Sequence, residues 1–163
     1  MRRVLMIILF LLSPSVLYAG EAAKVTWLTL ENAMKSAKEE KKLVLIQFET
    51  TWCKYCKDMK TETYNDKTVI EKVNKMFKVT SVDKEGNKEL VVKGKKMTEK
   101  EFASKFNINM TPMTYFLKPD GQQIKGYPGQ MGPDEFLPIL SYVGEGWYEK
   151  MSIIDYMKKL KKK

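Results

Sequence analysis

The chain has 163 residues and no histidine, and its 29 lysines and arginines outnumber 20 aspartates and glutamates, for a formal charge of +9. That length suits one compact domain with a core that folds without disulfide staples. The missing histidine removes His-dependent acid–base catalysis and the commonest metal ligand together.

At the N-terminus, Arg2 and Arg3 precede the apolar run Val4 to Leu12, followed by Ser13, Pro14 and Ser15 and the small residues Ala19, Gly20, Ala22 and Ala23. This is the order of a secretory signal peptide. An uncleaved anchor would need about 20 predominantly apolar residues, and Ser13-Pro14-Ser15 interrupts this run early. We expect a signal peptide over residues 1–19, cleaved after Ala19 or alternatively after Ala22, and a single exported domain over residues 20–163. Removing residues 1–19 takes away two arginines and no acid, so the charge falls only from +9 to +7.

Trp27, Leu30, Met34 and Ala37 recur at helical spacing, with Lys35, Lys38, Glu39 and Glu40 off the stripe, which predicts an amphipathic helix. Leu43 to Phe48 is nearly continuous and apolar, as expected of a central strand covered on both faces. Directly after it stands Glu49-Thr50-Thr51-Trp52-Cys53-Lys54-Tyr55-Cys56-Lys57, at a strand-to-helix turn. Asp66 caps a helix carrying Val69, Val73, Met76 and Phe77, and Phe77 to Val82 reads as a second strand, a βα-like order with a parallel crossover.

Residues 83–97 are rich in Lys, Glu and Gly and predict an inserted loop or small hairpin. Thr98 with Glu101 forms a capping-box pattern ahead of Phe102, Ala103 and Phe106. Met113 to Leu117 and Gln122 to Tyr127 flank Lys118-Pro119-Asp120-Gly121, which predicts an antiparallel hairpin. Gly126 and Gly129 suit a close backbone approach or a bend. A helix after Pro133 carries Phe136, Leu137, Leu140 and Val143, and Pro138 must lie near its first turn or at a kink. Residues 147–163 predict a final basic helix with the stripe Trp147, Met151, Ile154 and Met157. Five of its last six residues are lysine, which suits a solvated helix end or weak contact with an anionic membrane. Export argues against nucleic acid.

Cys53 and Cys56 are the only cysteines. As a structural bridge they would close a four-residue loop, which in the chain-entropy model yields about 2 kcal/mol against about 3 for fifteen residues. As a zinc site they would be half of a closed set of four ligands, with only carboxylates to complete it. The redox reading uses more of what is present. A helix N-terminus stabilises a thiolate through its unpaired N–H groups and dipole, and Lys54 and Lys57 add positive charge, which lowers a cysteine pKa. Cys53 is then the exposed attacking thiolate and Cys56 the resolving cysteine. No metal and no cofactor beyond this pair is expected.

Val44 to Phe48, then Trp52-Cys53-Lys54-Tyr55-Cys56-Lys57, and later Met110-Thr111-Pro112-Met113-Thr114-Tyr115-Phe116-Leu117 with Asp120-Gly121, resemble the thioredoxin superfamily over nearly the whole exported chain. The segment before Thr98, Gly126-Tyr127 and the added C-terminal helix are similar to bacterial periplasmic thioredoxin-related proteins associated with sulfur oxidation and cytochrome c maturation. The resemblance implies an α/β thioredoxin fold: a central mixed sheet of four to five strands, flanked by helices, with an extra C-terminal helix.

It also implies that Pro112 is cis and faces the cysteine pair, so that the backbone of Thr111 can pair with a substrate strand. From the residues alone, a trans proline opening an edge strand is the default, since cis is the minority state for X-Pro. Two positions depart from the family. Lys54-Tyr55 replaces the usual Gly-Pro between the cysteines, a dipeptide that tunes redox potential. Gln47 stands where thioredoxins carry a buried acid, leaving Glu49 as the nearest substitute. Trp52 and Tyr55 are expected near the opening, with Met59, Met110 and Met113 as further candidates for an apolar rim.

The reading these features favour is a monomeric periplasmic thiol:disulfide oxidoreductase, a reductase of protein disulfides recharged by a membrane-bound electron donor. The alternatives are a disulfide oxidase or isomerase, a metal-handling protein, or a non-catalytic binding module with a structural disulfide that docks through Lys84 to Lys96 and the lysine tail.

Overall fold

The computed structural model describes residues 24–162. The signal peptide, its cleavage points and Lys163 lie outside the described residues. The chain enters through a two-residue strand, β1 (Trp27–Leu28), and the helix α1 (Leu30–Glu40). Trp27 therefore does not belong to the helix that its spacing with Leu30 predicts. Thr29 intervenes as the N-cap, its hydroxyl accepting from the Asn32 N–H at 3.3 Å, and a cap needs extended backbone that separates the two elements.

Strand β2 (Leu43–Glu49) follows, then α2 (Lys54–Thr61), a single 3-10 turn (Thr63–Asn65), α3 (Lys67–Met76) and β3 (Phe77–Asp83). Asp66 caps α3 as its sequence position predicts, accepting from the N–H groups of Thr68 and Val69. The next stretch is a hairpin, β4 (Glu89–Val92) and β5 (Lys95–Thr98), forming its own two-stranded sheet. Its two-residue turn, Lys93-Gly94, has φ of 52° and 77°, the left-handed pair that matches strand twist. Leu90 anchors this hairpin in the core.

Helix α4 (Glu99–Ser104) starts from the complete Thr98/Glu101 capping box. Strands β6 (Met113–Leu117) and β7 (Gln123–Pro128) form the expected hairpin, and α5 (Pro133–Gly144) follows. Pro138 sits in the second turn of α5, where its ring removes one intrahelical bond; complete burial of Phe136, Leu140 and Val143 holds the helix through it. The predicted final helix is split into a 3-10 turn (Trp147–Glu149) and α6 (Ile153–Lys161), because Ser152 caps a new start by accepting from the Asp155 N–H. Gly126 packs where a Cβ would stand 2.7 Å from the Tyr115 ring, and Gly129 turns the chain at φ 92°.

The main sheet runs β1-β3-β2-β6-β7. β1, β3 and β2 are parallel, and β6 and β7 continue antiparallel. Side-chain alternation along β2 sends Leu45 into a core with α3 and α5, and Val44, Ile46 and Phe48 into a second core with α1 and α4. This explains the unbroken apolar run: the strand is covered on both sides. Among the described residues, the two cores draw on positions from Val25 to Met157.

Candidate active site around Cys53 and Cys56

β2 and β6 are antiparallel, with Phe48 paired to Met113, so the C-terminal end of one lies beside the N-terminal end of the other. Cys53 follows the first end by four residues and Pro112 precedes the second by one. Topology thus brings to one edge two segments far apart in sequence. The Thr111–Pro112 peptide is cis, and the Pro112 carbonyl accepts from the Gly129 N–H at 2.9 Å. Pro112 is buried and Thr111 half-buried.

Cys53 is the N-cap of α2 and Cys56 lies in its first turn. The two are joined as a disulfide, with Cα atoms 5.3 Å apart. The Cys53 sulfur accepts from the Cys56 N–H at 3.1 Å, so one of the helix's orphan donors already points at it. Among the residues of that first turn there is no acid to oppose a thiolate. One expectation needs correction: Cys53 is buried, at 4% exposure, alongside Cys56 at 2%. Its sulfur folds back over the helix start, whereas the neighbouring Trp52 and Tyr55 stand out at 69% and 60%.

The two lysines differ in setting. Lys54 is exposed, pairs with Asp58 at 3.5 Å and lies 5.9 Å from the Tyr55 ring centroid. Lys57 is exposed, with its backbone N–H donating to the Cys53 carbonyl. Of the methionines, Met110 is exposed, Met113 is half-buried against the second core, and Met59 is wholly core.

Gln47 is buried and structural in its contacts. Its Oε1 accepts from the Tyr64 hydroxyl at 2.9 Å and the Thr114 hydroxyl at 3.0 Å, while Nε2 has no partner among the described residues. Burial pushes the Tyr64 phenol far above its ordinary range and keeps it a donor. Glu49 lies two residues on, on the same face of β2, and its Oε1 accepts from Lys60 Nζ at 2.6 Å. Lys60 is four residues after Cys56, on the same side of α2, and its ammonium also lies 4.9 Å from the Trp27 ring.

Lys60 lies outside the sequence expectations, although its i,i+4 relation to Cys56 is a readable signal. Glu85 carried none. Its carboxylate accepts from the Trp52 indole N–H at 3.1 Å, across the β3–β4 connection, and the Lys84 N–H donates to the Glu49 carbonyl. Residues 83–97 therefore touch the site at their first turn.

The sequence profile of the thioredoxin-like domain matches residues 30–144, more than half of the chain, and the chain belongs to that family. A thioredoxin-fold protein from Helicobacter pylori is similar at 27% identity and TM-score 0.63, covering 75% of this chain and 81% of that one. A thioredoxin from Thermus thermophilus shares the fold at 24% identity and TM-score 0.59, over 76% and 88%. So does an oxidoreductase described as DsbH, at 16% identity and TM-score 0.61, over 76% and 87%. A comparison with curated proteins finds no match.

Fold, family and a Cys-x-x-Cys pair at disulfide distance on a helix N-terminus define a thiol:disulfide oxidoreductase. That is the class to which this enzyme belongs.

Proposed function

We propose that the protein is a periplasmic reductase of protein disulfides. The observation that carries the direction is the setting of the oxidised pair. Cys53 and Cys56 are both buried. Burial penalises a thiolate at Cys53, which supports a dithiol that readily gives up its electrons to form the disulfide. The signal-peptide order of the leader supports export.

The Cys53 thiolate, held by the Cys56 N–H, attacks one sulfur of a partner disulfide. A mixed disulfide forms, and the other partner sulfur leaves as a thiolate that takes up a proton. The Cys56 thiol loses its proton and attacks Cys53 Sγ, releasing the second partner thiol and leaving the Cys53–Cys56 disulfide. Two electrons and two protons pass to the partner. Glu49, salt-bridged to Lys60, is the carboxylate assigned to accept the Cys56 proton, since the Gln47 amide is no base. Trp52, Tyr55 and Met110 form the docking rim, and the backbone of Thr111 ahead of Pro112 aligns the partner strand.

A compartment that oxidises thiols demands a continuing electron supply, so a membrane-bound donor completes the cycle. Proteins of sulfur oxidation and cytochrome c maturation are the first substrates to try. The oxidase or isomerase reading draws on the same Cys53 cap, because a stabilised thiolate also makes a pair more oxidising.

The deciding measurement is the equilibrium potential of the Cys53/Cys56 pair in defined thiol buffers, with Cys53→Ser as control. A value near thioredoxin's, about −270 mV, supports the reductase; one near about −120 mV overturns it in favour of disulfide donation.

A further inference from the structure

α6 leaves part of its surface outside the fold. Tyr156 turns inward against Tyr142 and Trp147, and Ile153 and Met157 rest half-buried on the first core. Ile154 and Leu160 do not join that core: they stand 63% and 40% exposed. Ile154, Met157 and Leu160 follow at i, i+3 and i+6, a diagonal aliphatic stripe along the outer face.

An open groove of about 290 Å³ runs along this face, lined by Ile153, Ile154, Met157, Lys158 and Lys161. Its floor is aliphatic and its rim is cationic. Lys158, Lys161 and Lys162 have no ion-pair partner among the described residues, and Lys159 is set apart over the Trp147 ring at 4.2 Å. The helix's one acid, Asp155, is engaged at the helix start, where its carboxylate accepts from the Ser152 hydroxyl at 2.7 Å.

We propose that α6 is an interfacial helix that seats this protein on the surface of an anionic phospholipid bilayer. The stripe of Ile154, Met157 and Leu160 enters the headgroup–acyl boundary, while Lys158, Lys161 and Lys162 meet lipid phosphates. An amphipathic helix with lysines flanking an aliphatic face has the chemistry for this placement. Nine residues cannot span a bilayer, and among the described residues no helix is long and apolar enough to do so, so the helix lies on the membrane. A protein partner is the weaker occupant. The face offers no aromatic or arginine anchor of the kind that dominates protein interfaces, and the charge on its rim has one sign.

The proposal is independent of the cysteine chemistry. Its test is co-sedimentation of the chain from Gly20 onward with vesicles of phosphatidylglycerol and phosphatidylcholine, or of phosphatidylcholine alone, at low and high salt. Binding is expected only with phosphatidylglycerol, falling away in high salt, and unchanged in Cys53→Ser. Ile154→Asp with Leu160→Asp, both outside the core, and separately Lys158→Glu with Lys161→Glu, are each expected to weaken it on the order of tenfold or more. The proposal is overturned if wild type binds neither vesicle, binds both alike, or keeps its affinity in the α6 variants. A self-association in solution that the aspartate pair abolishes, without vesicle binding, would also overturn it and assign the face to a second copy.

Discussion

Glu49 and Lys60 form an ion pair of 2.6 Å at the end of the central strand, and Lys60 stands one helical turn from Cys56. A carboxylate two residues past Gln47 therefore reaches the helix that carries Cys56. Glu49→Gln is expected to slow resolution of the mixed disulfide on the order of 10²-fold, the low end of general-base effects, with attack by Cys53 little changed. Stopped-flow measurement of the two steps checks this, and equal slowing of both would remove Glu49 from the proton's path.

The proposed mechanism gives the two cysteines different roles. Cys56→Ser is expected to accumulate a covalent adduct with a disulfide-containing peptide, and Cys53→Ser to form none and reduce insulin only at background rate. Intact-mass spectrometry reads the adduct. Adducts of equal yield on both variants would contradict the order of attack.

Gln47 is assigned a packing role. Gln47→Leu leaves the hydroxyls of Tyr64 and Thr114 without their shared buried acceptor, at a cost of about 1–3 kcal/mol. Urea denaturation should record the loss while turnover of the folded enzyme stays near wild type. A large fall in turnover without loss of stability would return Gln47 to the chemistry.

Two glutamates should give opposite pH signatures. Hydrogen bonds from Lys78, and then from Lys42, hold the Glu40 carboxyl below the usual carboxylate range. Its contribution to stability is present above that range and lost as pH falls through the lowered value. Desolvation pushes Glu99 up, against the Asp83 N–H that donates to it. There the protonated form is favoured, so the contribution is present at low pH and lost as pH rises through the raised value. At neutral pH, Glu40→Gln is expected to lower the melting temperature and Glu99→Gln to raise it, with both differences shrinking toward pH 3. Two variants that shift in the same direction at neutral pH would refute this assignment.

The Thr98/Glu101 box joins the hairpin to α4. Thr98→Ala should cost about 1 kcal/mol, and a change within the error of a denaturation curve would mean that packing of Phe102 alone holds the helix start.

Much of this molecule is written locally. The unbroken run Leu43 to Phe48 announces a strand covered on both faces, because alternating side chains must both find apolar surroundings. Asp66 and Thr98 announce helix starts, because a cap acts on amides two or three residues away. Cys53 before an amphipathic helix announces its chemistry for the same reason. Where local signals compete, the cap prevails over periodicity: Trp27 keeps helical spacing with Leu30, yet Thr29 caps the helix and leaves Trp27 to pair with Val79 in the sheet.

What the residues could not announce is which distant groups meet. Glu85 reaches Trp52 across 33 positions, Thr114 reaches Gln47 across 67, and Pro112 comes to the edge that holds Cys53 only because β6 runs against β2. The shielding of Cys53 is likewise a property of how the chain closes around the helix start. Helix caps and strand periodicity act over a few residues and can be read in line. Proximity, burial and the pairing of an acid with a base are set by the sheet's strand order, and that is settled only when the two cores pack.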